Sequence, residues 1–200
     1  AIYLAKRGFQ VEVYERRPDM RKVELSAGRS INLALSARGW NALKAVNVDQ
    51  DVEKMAIPMY KRVMHAVDGS LTDQQYGQDG EAIYSVSRGG LNQLLMNLAG
   101  EQENVNMHFN YKCVDVDLKS ASATFEHKDG NLKNVAAEMI IGADGAYSVI
   151  RSKMIKQDRF QYSQHYIEHG YKELTIPANS DGTHKLEVNA LHIWPRGSYM

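Results

Sequence analysis

Met139-Ile-Ile-Gly-Ala-Asp-Gly-Ala-Tyr-Ser-Val-Ile-Arg151 decides how the rest of the chain is read. The apolar run 139–141 predicts a buried strand, the glycines and Asp144 a tight turn, and Ser148 the start of a helix carrying Arg151. Glycine after Asp144 lets the turn bring backbone N–H groups close to a ligand, where a Cβ on Gly145 would hold that ligand away. A phosphate or a ribose suits such a turn. A structural Asp-Gly turn has the same two letters, so the strand before it and Ser148 and Arg151 after it carry the distinction.

Working outward toward the N-terminus, residues 1–7 read as the end of a helix stopped by Gly8, and residues 9–14 alternate like a strand ending at Glu15. Helix, glycine, strand and acid in that order match the second half of a βαβ dinucleotide fold. There the acid accepts from the adenosine ribose hydroxyls, and a glycine-rich turn about 20 residues upstream holds the pyrophosphate. That turn would precede Ala1. Glu15-Arg16-Arg17 is equally readable as a solvated charge cluster after an edge strand.

Ser36 is placed to cap a helix over 37–46 with Trp40, Leu43 and Val46 on one face, and Asp49 to cap a shorter helix ended by Pro58. Residues 61–67 and 71–76 read as an antiparallel hairpin. A loop of Asp68, Gly69 and Ser70 sets Arg62 opposite Tyr76, so a guanidinium and a phenol would point at one spot and could grip a carboxylate. An exposed cation–π pair on a hairpin is the alternative. Ser87 is the expected N-cap of an amphipathic helix bearing Leu91, Leu94, Leu95 and Leu98. Arg88 then sits in the first turn, where the helix dipole disfavours a cation by roughly 0.3–1 kcal/mol. A diphosphate or a flavin edge nearby would offset that, as would simple solvation.

Residues 105–141 read as a run of strands with a turn at Asp129-Gly130, feeding the strand before the Asp-Gly turn, and residues 162–174 and 185–194 as strands of a second sheet. Cys113 is the only cysteine; it excludes an internal disulfide and reads as a small buried hydrophobe. His165 and His169 have helical metal-ligand spacing, but Gly170 follows at once and no third ligand is in register. No Ser/His/Asp or Cys/His constellation stands out, so a cofactor would carry any hard chemistry.

Twenty-four basic and 24 acidic residues cancel in 200. That balance lacks the basic field that attracts nucleic acid or anionic membrane and favours a small-molecule partner. At 44% hydrophobic residues the chain can build a substantial core. No run reaches the ~18 apolar residues of a membrane span. The opening Ala1-Ile-Tyr-Leu-Ala5 and the stop after an apolar run suggest a fragment of a longer protein.

Taken together, Glu15, the stretch from Gly28 to Ser36, Arg88 and the Asp144-Gly145 string resemble the FAD-dependent aromatic hydroxylases. Arg29-Ser-Ile-Asn-Leu-Ala-Leu-Ser36, Ile57-Pro-Met59, Tyr162-Ser-Gln164, His169-Gly-Tyr171, Glu173-Leu-Thr-Ile-Pro177 and Leu191-His-Ile-Trp-Pro-Arg196 are similar to the kynurenine 3-monooxygenase branch of that family. The resemblance implies an α/β fold: an incomplete FAD-binding Rossmann-like domain over 1–56 and 80–158, and a smaller, mostly antiparallel substrate domain over 57–79 and 159–200.

It further implies that Tyr14, Glu15, Arg16 and Arg17 meet the adenosine end of FAD, that Ala34, Arg88 and Cys113 contact the cofactor, and that Asp144 and Gly145 close the flavin and pyridine-nucleotide site. Cysteine departs from the aliphatic residue usual at position 113. Arg62 and Tyr76 would bind the carboxylate of L-kynurenine, with NADPH and O₂ as co-substrates in tryptophan catabolism, and no side chain need be the nucleophile. An intact parent would sit on the cytosolic face of the mitochondrial outer membrane, through a segment this chain does not carry. Lacking the glycine-rich turn and a later Gly-Asp segment, the 200 residues alone are expected to hold FAD weakly and to be inactive.

Overall fold

The computed structural model describes residues 1–23, 32–78, 80–170, 172 and 174–200. Its elements in chain order are α1 (Ile2–Ala5), β1 (Val11–Glu15), β2 (Asn32–Leu35), α2 (Ala37–Lys44), α3 (Asp49–Glu53), β3 (Ile57–Met59), β4 (Lys61–His65) and β5 (Leu71–Gln75). There follow β6 (Ile83–Ser87), α4 (Arg88–Gly100), β7 (Val105–Phe109), β8 (Tyr111–Asp117), β9 (Ser122–His127), β10 (Leu132–Ala136), α5 (Val149–Met154) and β11 (Ala190–Ile193). The α/β class expected from the sequence is observed. Packing divides the chain into two units, Ala1–Leu25 with Ala99–Gly170, and Ser26–Leu98 with Tyr171–Met200. These boundaries differ from the expected division by ligand, which sorts residues by what they would touch.

In the first unit, β1 and β7 pair in parallel from Val11↔Val105 to Glu15↔Phe109, and the two valines are buried. Asn104 ties their start to α1, its side-chain amide donating to the carbonyls of Ala5 (2.9 Å) and Phe9 (2.7 Å). The antiparallel meander β8–β9–β10 forms a separate sheet, with a bulge between Cys113 and Asp115. Tyr14 of β1 is sandwiched between His108 of β7 (centroids 4.5 Å) and Phe125 of β9 (4.0 Å), the stacked geometry aromatic pairs favour. That contact joins the parallel pair to the meander. The Lys133 ammonium lies over the rings of Tyr14 (5.3 Å) and Tyr111 (5.6 Å).

In the second unit β2–β6–β3 form one sheet and β11–β4–β5 another, β11 running parallel to β4. Val86, Val63, Met59 and Ala190 are buried, because alternation along each strand sends every second side chain inward. Ser36 occupies the N-cap of α2, but its hydroxyl makes no capping hydrogen bond. Trp40 meets Tyr84 edge-on (5.0 Å) and Val46 is buried just past the helix. Asp49 is the first residue of α3 rather than its cap, and Pro58 lies in β3, beyond the helix end at Glu53. Of the expected core face of α4, the leucines are half-buried and Ala99 is the residue removed from solvent.

Two expected strands are not formed. Residues 139–141 take no regular structure, and Met139 and Ile141 are each 60% exposed. The meander ends at Ala136, and a lone extended run needs a neighbouring strand to satisfy its backbone groups. The described residues of the expected strand 162–174 likewise form none; among the described residues of the two expected second-sheet segments, only Ala190–Ile193 pairs, with β4.

Candidate functional site

The hairpin β4–β5 brings Arg62 and Tyr76 together, by a register other than the expected one. The Ala66 N–H donates to the Ser70 carbonyl (3.0 Å), so the three-residue loop is Val67-Asp68-Gly69 and Arg62 stands opposite Gln74. Gly69 occupies the third loop position with φ +87°, the left-handed place where such loops favour glycine. Tyr76 is then the diagonal neighbour of Arg62 on the same face. Arg62 Nε donates to the Tyr76 hydroxyl (3.2 Å), and the guanidinium carbon lies 4.9 Å from the ring centroid. Arg62 is exposed, so its remaining N–H groups face solvent and can grip an anion. Tyr76 also lines an open groove of about 760 Å³ with Trp40, Tyr84, Lys44, Glu53 and Glu81.

The turn after residues 139–141 is built by its own side chains. Asp144 Oδ1 accepts from the Ser148 hydroxyl (2.5 Å), and Oδ2 from the N–H groups of Val149 (2.7 Å) and Ile150 (3.3 Å). Ser148 Oγ in turn accepts from the Arg151 N–H (2.9 Å), making it the N-cap of α5. Burial pushes the Asp144 carboxyl up, but the Ser148 hydroxyl and the N–H donors outweigh it and hold it below the usual carboxylate range. With both oxygens engaged, Asp144 shapes the loop. Gly145 has φ +80°, and a Cβ there would meet nothing within 4 Å. The glycine is required by its backbone conformation, and the space beside it is open to a ligand.

Sequence reasoning did not assign Arg151 its part. Its guanidinium donates to the carbonyls of Gly145 (3.2 Å) and Ala146 and lies 5.7 Å from the Tyr162 ring centroid. The signal was the arginine one turn into the helix, close enough to reach back over the loop.

Glu15 ends β1, and its Oε1 accepts from the Arg17 N–H (2.8 Å). An acid at the C-terminal end of a parallel strand, with acceptor capacity left over, suits a vicinal diol. Arg16 and Arg17 are exposed beside it, and Tyr14 is held in the aromatic sandwich. Cys113 is half-buried; burial first, then the nearby Asp144 charge, pushes its thiol up. That is the environment of an unreactive thiol. These residues, with Asp144 and Gly145, belong to the first unit.

Ala34 and Arg88 belong to the second, with Arg62 and Tyr76. Ala34 of β2 is exposed and pairs with Ser85 of β6. Arg88 opens α4 directly after β6, and the preceding Ser87 Oγ accepts from the Gly90 N–H (3.2 Å), the expected cap. Gly28 to Ile31, from the stretch that contributed to the resemblance, lie outside the described residues. Among the described residues no group of three or more metal-ligating side chains converges.

Over its whole length the chain is 49% identical to a kynurenine 3-monooxygenase from Christiangramia forsetii and 43% identical to one from Sus scrofa, covering 44% and 42% of those proteins. It thus spans less than half the length of the curated relatives it matches. Among solved structures, it is similar to p-nitrophenol 4-monooxygenase from Pseudomonas putida (TM-score 0.65, 19% identity, 76% of this chain and 39% of that one). It is also similar to 2-methyl-3-hydroxypyridine-5-carboxylic acid oxygenase (TM-score 0.60, 22% identity, 76% and 37%). Both likenesses are of fold. The FAD binding domain family matches residues 1–185, and the chain belongs to that family.

Proposed function

We propose that this chain is part of an FAD- and NADPH-dependent monooxygenase that hydroxylates L-kynurenine to 3-hydroxykynurenine. The observation that carries the substrate is the Arg62–Tyr76 pair, read beside relatives that bear that enzyme's name over the whole of this chain. When bound, FAD would supply the redox chemistry, with electrons from NADPH and an oxygen atom from O₂.

The chain's own residues bind and orient. The Tyr76 oxygen accepts from Arg62 Nε, so its hydroxyl hydrogen is directed elsewhere and can donate to a carboxylate that also meets the outer guanidinium nitrogens. Held by its amino-acid end, the substrate is fixed in orientation, which is where positioning lowers a barrier. Glu15 would accept from the adenosine ribose, with Tyr14, Arg16 and Arg17 beside it. Asp144, Gly145 and Cys113 in the first unit and Ala34 and Arg88 in the second are proposed to meet the cofactor. In functional terms 1–56 and 80–158 would serve FAD, and 57–79 and 159–200 the substrate.

No helix among the described residues is long and apolar enough to cross a membrane. Attachment to the cytosolic face of the mitochondrial outer membrane is proposed for a eukaryotic parent carrying a further segment. The test is NADPH oxidation by the full-length protein with and without L-kynurenine, followed by assay of the 3-hydroxy product. Stimulation with matching product supports the reading; stimulation yielding peroxide alone makes kynurenine an effector and removes it as substrate.

A further inference from the structure

Strand β11 is held to β4 by more than its ladder. His65 of β4 and His192 of β11 are 127 residues apart, yet His65 Nε2 and His192 Nδ1 are 2.9 Å apart. His192 Nε2 lies 2.9 Å from the Glu187 carbonyl oxygen, and His65 stacks on Trp194 with centroids 4.4 Å apart. A carbonyl can only accept, so His192 Nε2 carries a hydrogen and, in the neutral ring, Nδ1 is the acceptor. His65 Nε2 is therefore the donor. On the other face of the sheet, Leu191 stands directly opposite Arg62.

We infer that His65 and His192 form a proton-counting latch: the pair keeps its hydrogen bond with no added proton or one, and loses it with two, releasing β11 from β4. A first proton on His65 Nδ1 leaves the Nε2–H donor in place, strengthens the bond by charge and sets an imidazolium against the Trp194 face. A second proton must enter on His192 Nδ1. Two N–H groups then point at each other across 2.9 Å, and the bond becomes a repulsion.

The charged groups around the pair do not compensate. Lys61, on the same face, is engaged by Asp73 (2.7 Å) and Glu187 (3.0 Å), so those carboxylates are spoken for. Arg196 adds a cation, its Nη1 donating to the His65 carbonyl (2.8 Å). Leu71 of β5 lies opposite His65, and β3, linked to β11 through Asn189 Nδ2 and the Pro58 carbonyl (2.8 Å), brings Ile57, Pro58 and Met59 with no titratable group. The latch does not depend on the substrate proposed above.

The 200-residue chain itself provides the test. Long-range imidazole ¹⁵N NMR at neutral pH should find His192 protonated on Nε2 and bare on Nδ1. Amide exchange in β11, corrected for intrinsic rate, is then followed from about pH 7.5 down to about pH 5. Protection of β11 should fall by about tenfold or more at the acid end, with a parallel change in Trp194 emission in a Trp40→Phe background. His65→Gln offers an N–H to neutral His192 Nδ1 and, once that nitrogen is protonated, can turn its amide to offer the carbonyl oxygen instead, so it should keep β11 protection flat across the same range. Equal acid loss in wild type and His65→Gln would overturn the latch. So would the other His192 tautomer, or flat exchange in the wild type, and these two readings decide the matter even if His65→Gln fails to fold.

Discussion

Tyr76 accepts a hydrogen bond from Arg62 Nε at 3.2 Å while its ring centroid lies 4.9 Å from the same guanidinium, although Gln74, not Tyr76, stands opposite Arg62 in the ladder. The diagonal lets the phenol both accept from Arg62 Nε and lie against the guanidinium. On the function proposed above, Arg62→Ala in the full-length protein should weaken L-kynurenine binding by about 2–5 kcal/mol, the cost of losing one partner of a charge-assisted pair. Tyr76→Phe keeps the ring and loses the hydroxyl, at about 0.5–1.5 kcal/mol. Titration calorimetry reads both, and FAD content should not change. Equal losses in the two variants would contradict the division of labour.

Asp144 engages the Ser148 hydroxyl and two helix N–H groups at once. Asp144→Ala should destabilise the first unit by about 1–3 kcal/mol and Ser148→Ala by about 1 kcal/mol, in urea unfolding. The two share a network, so the double variant should cost less than the sum of the singles. Strict additivity would mean that the residues act separately.

Acid should weaken the first unit through Glu12 and Asp19. Hydrogen bonds from the Asn106 amide, then His108, hold Glu12 below the ordinary carboxylate range, and the Arg21 guanidinium does the same for the buried Asp19, gripping both of its oxygens (2.8 and 2.7 Å). A depressed folded value means that the unfolded chain binds protons first as pH falls. The stabilisation is thus complete above the unfolded carboxylate value, about 4 to 4.5, and is lost as pH drops through the lower folded values. Asp19→Asn should cost about 1–2 kcal/mol at neutral pH and flatten the acid limb of a stability–pH curve. An unchanged acid limb would exclude Asp19 from it.

The Cys113 thiol is pushed up by burial and by Asp144. In the native protein it should react with iodoacetamide several-fold more slowly than in the urea-unfolded chain, and the rate should still be climbing above about pH 8.5, the ordinary thiol value. Cys113→Val should leave the fold intact, since the side chain packs as a small hydrophobe. Native labelling as fast as unfolded labelling would mean that the site opens.

On the function proposed above FAD would meet Glu15 and the Gly145 loop, while the sequence of these 200 residues holds no G-x-G-x-x-G phosphate turn. The isolated chain should therefore emerge from desalting largely colourless. A stoichiometric flavin spectrum at that point would show that the phosphate end is held by other residues of this chain.

Local chemistry was legible from the residues. Gly69 and Gly130 mark tight turns because they take positive φ, Ser87 caps α4 because its hydroxyl reaches an N–H three residues on, and the meander follows from alternation over short spans. Even the Asp144-Gly145 turn is specified within a dozen residues, since among the described residues the hydrogen-bond donors to Asp144 lie in Ser148 to Ile150.

What the tertiary structure decided are the pairings between distant parts. The hairpin register, by contrast, is set locally: Gly69 takes the third loop position, and that shift of one loop residue puts Gln74 rather than Tyr76 opposite Arg62. Residues 139–141 have the composition of a strand yet find no partner, for a strand exists only where a neighbour accepts its backbone groups. The Tyr14 sandwich and the His65–His192 contact join residues about 90 to 130 positions apart. No periodicity within a strand reports on its neighbour across the sheet. Turn and cap signals act over a few residues and are written in the chain, whereas strand partnership depends on loop closure and on which other surfaces are present to be covered.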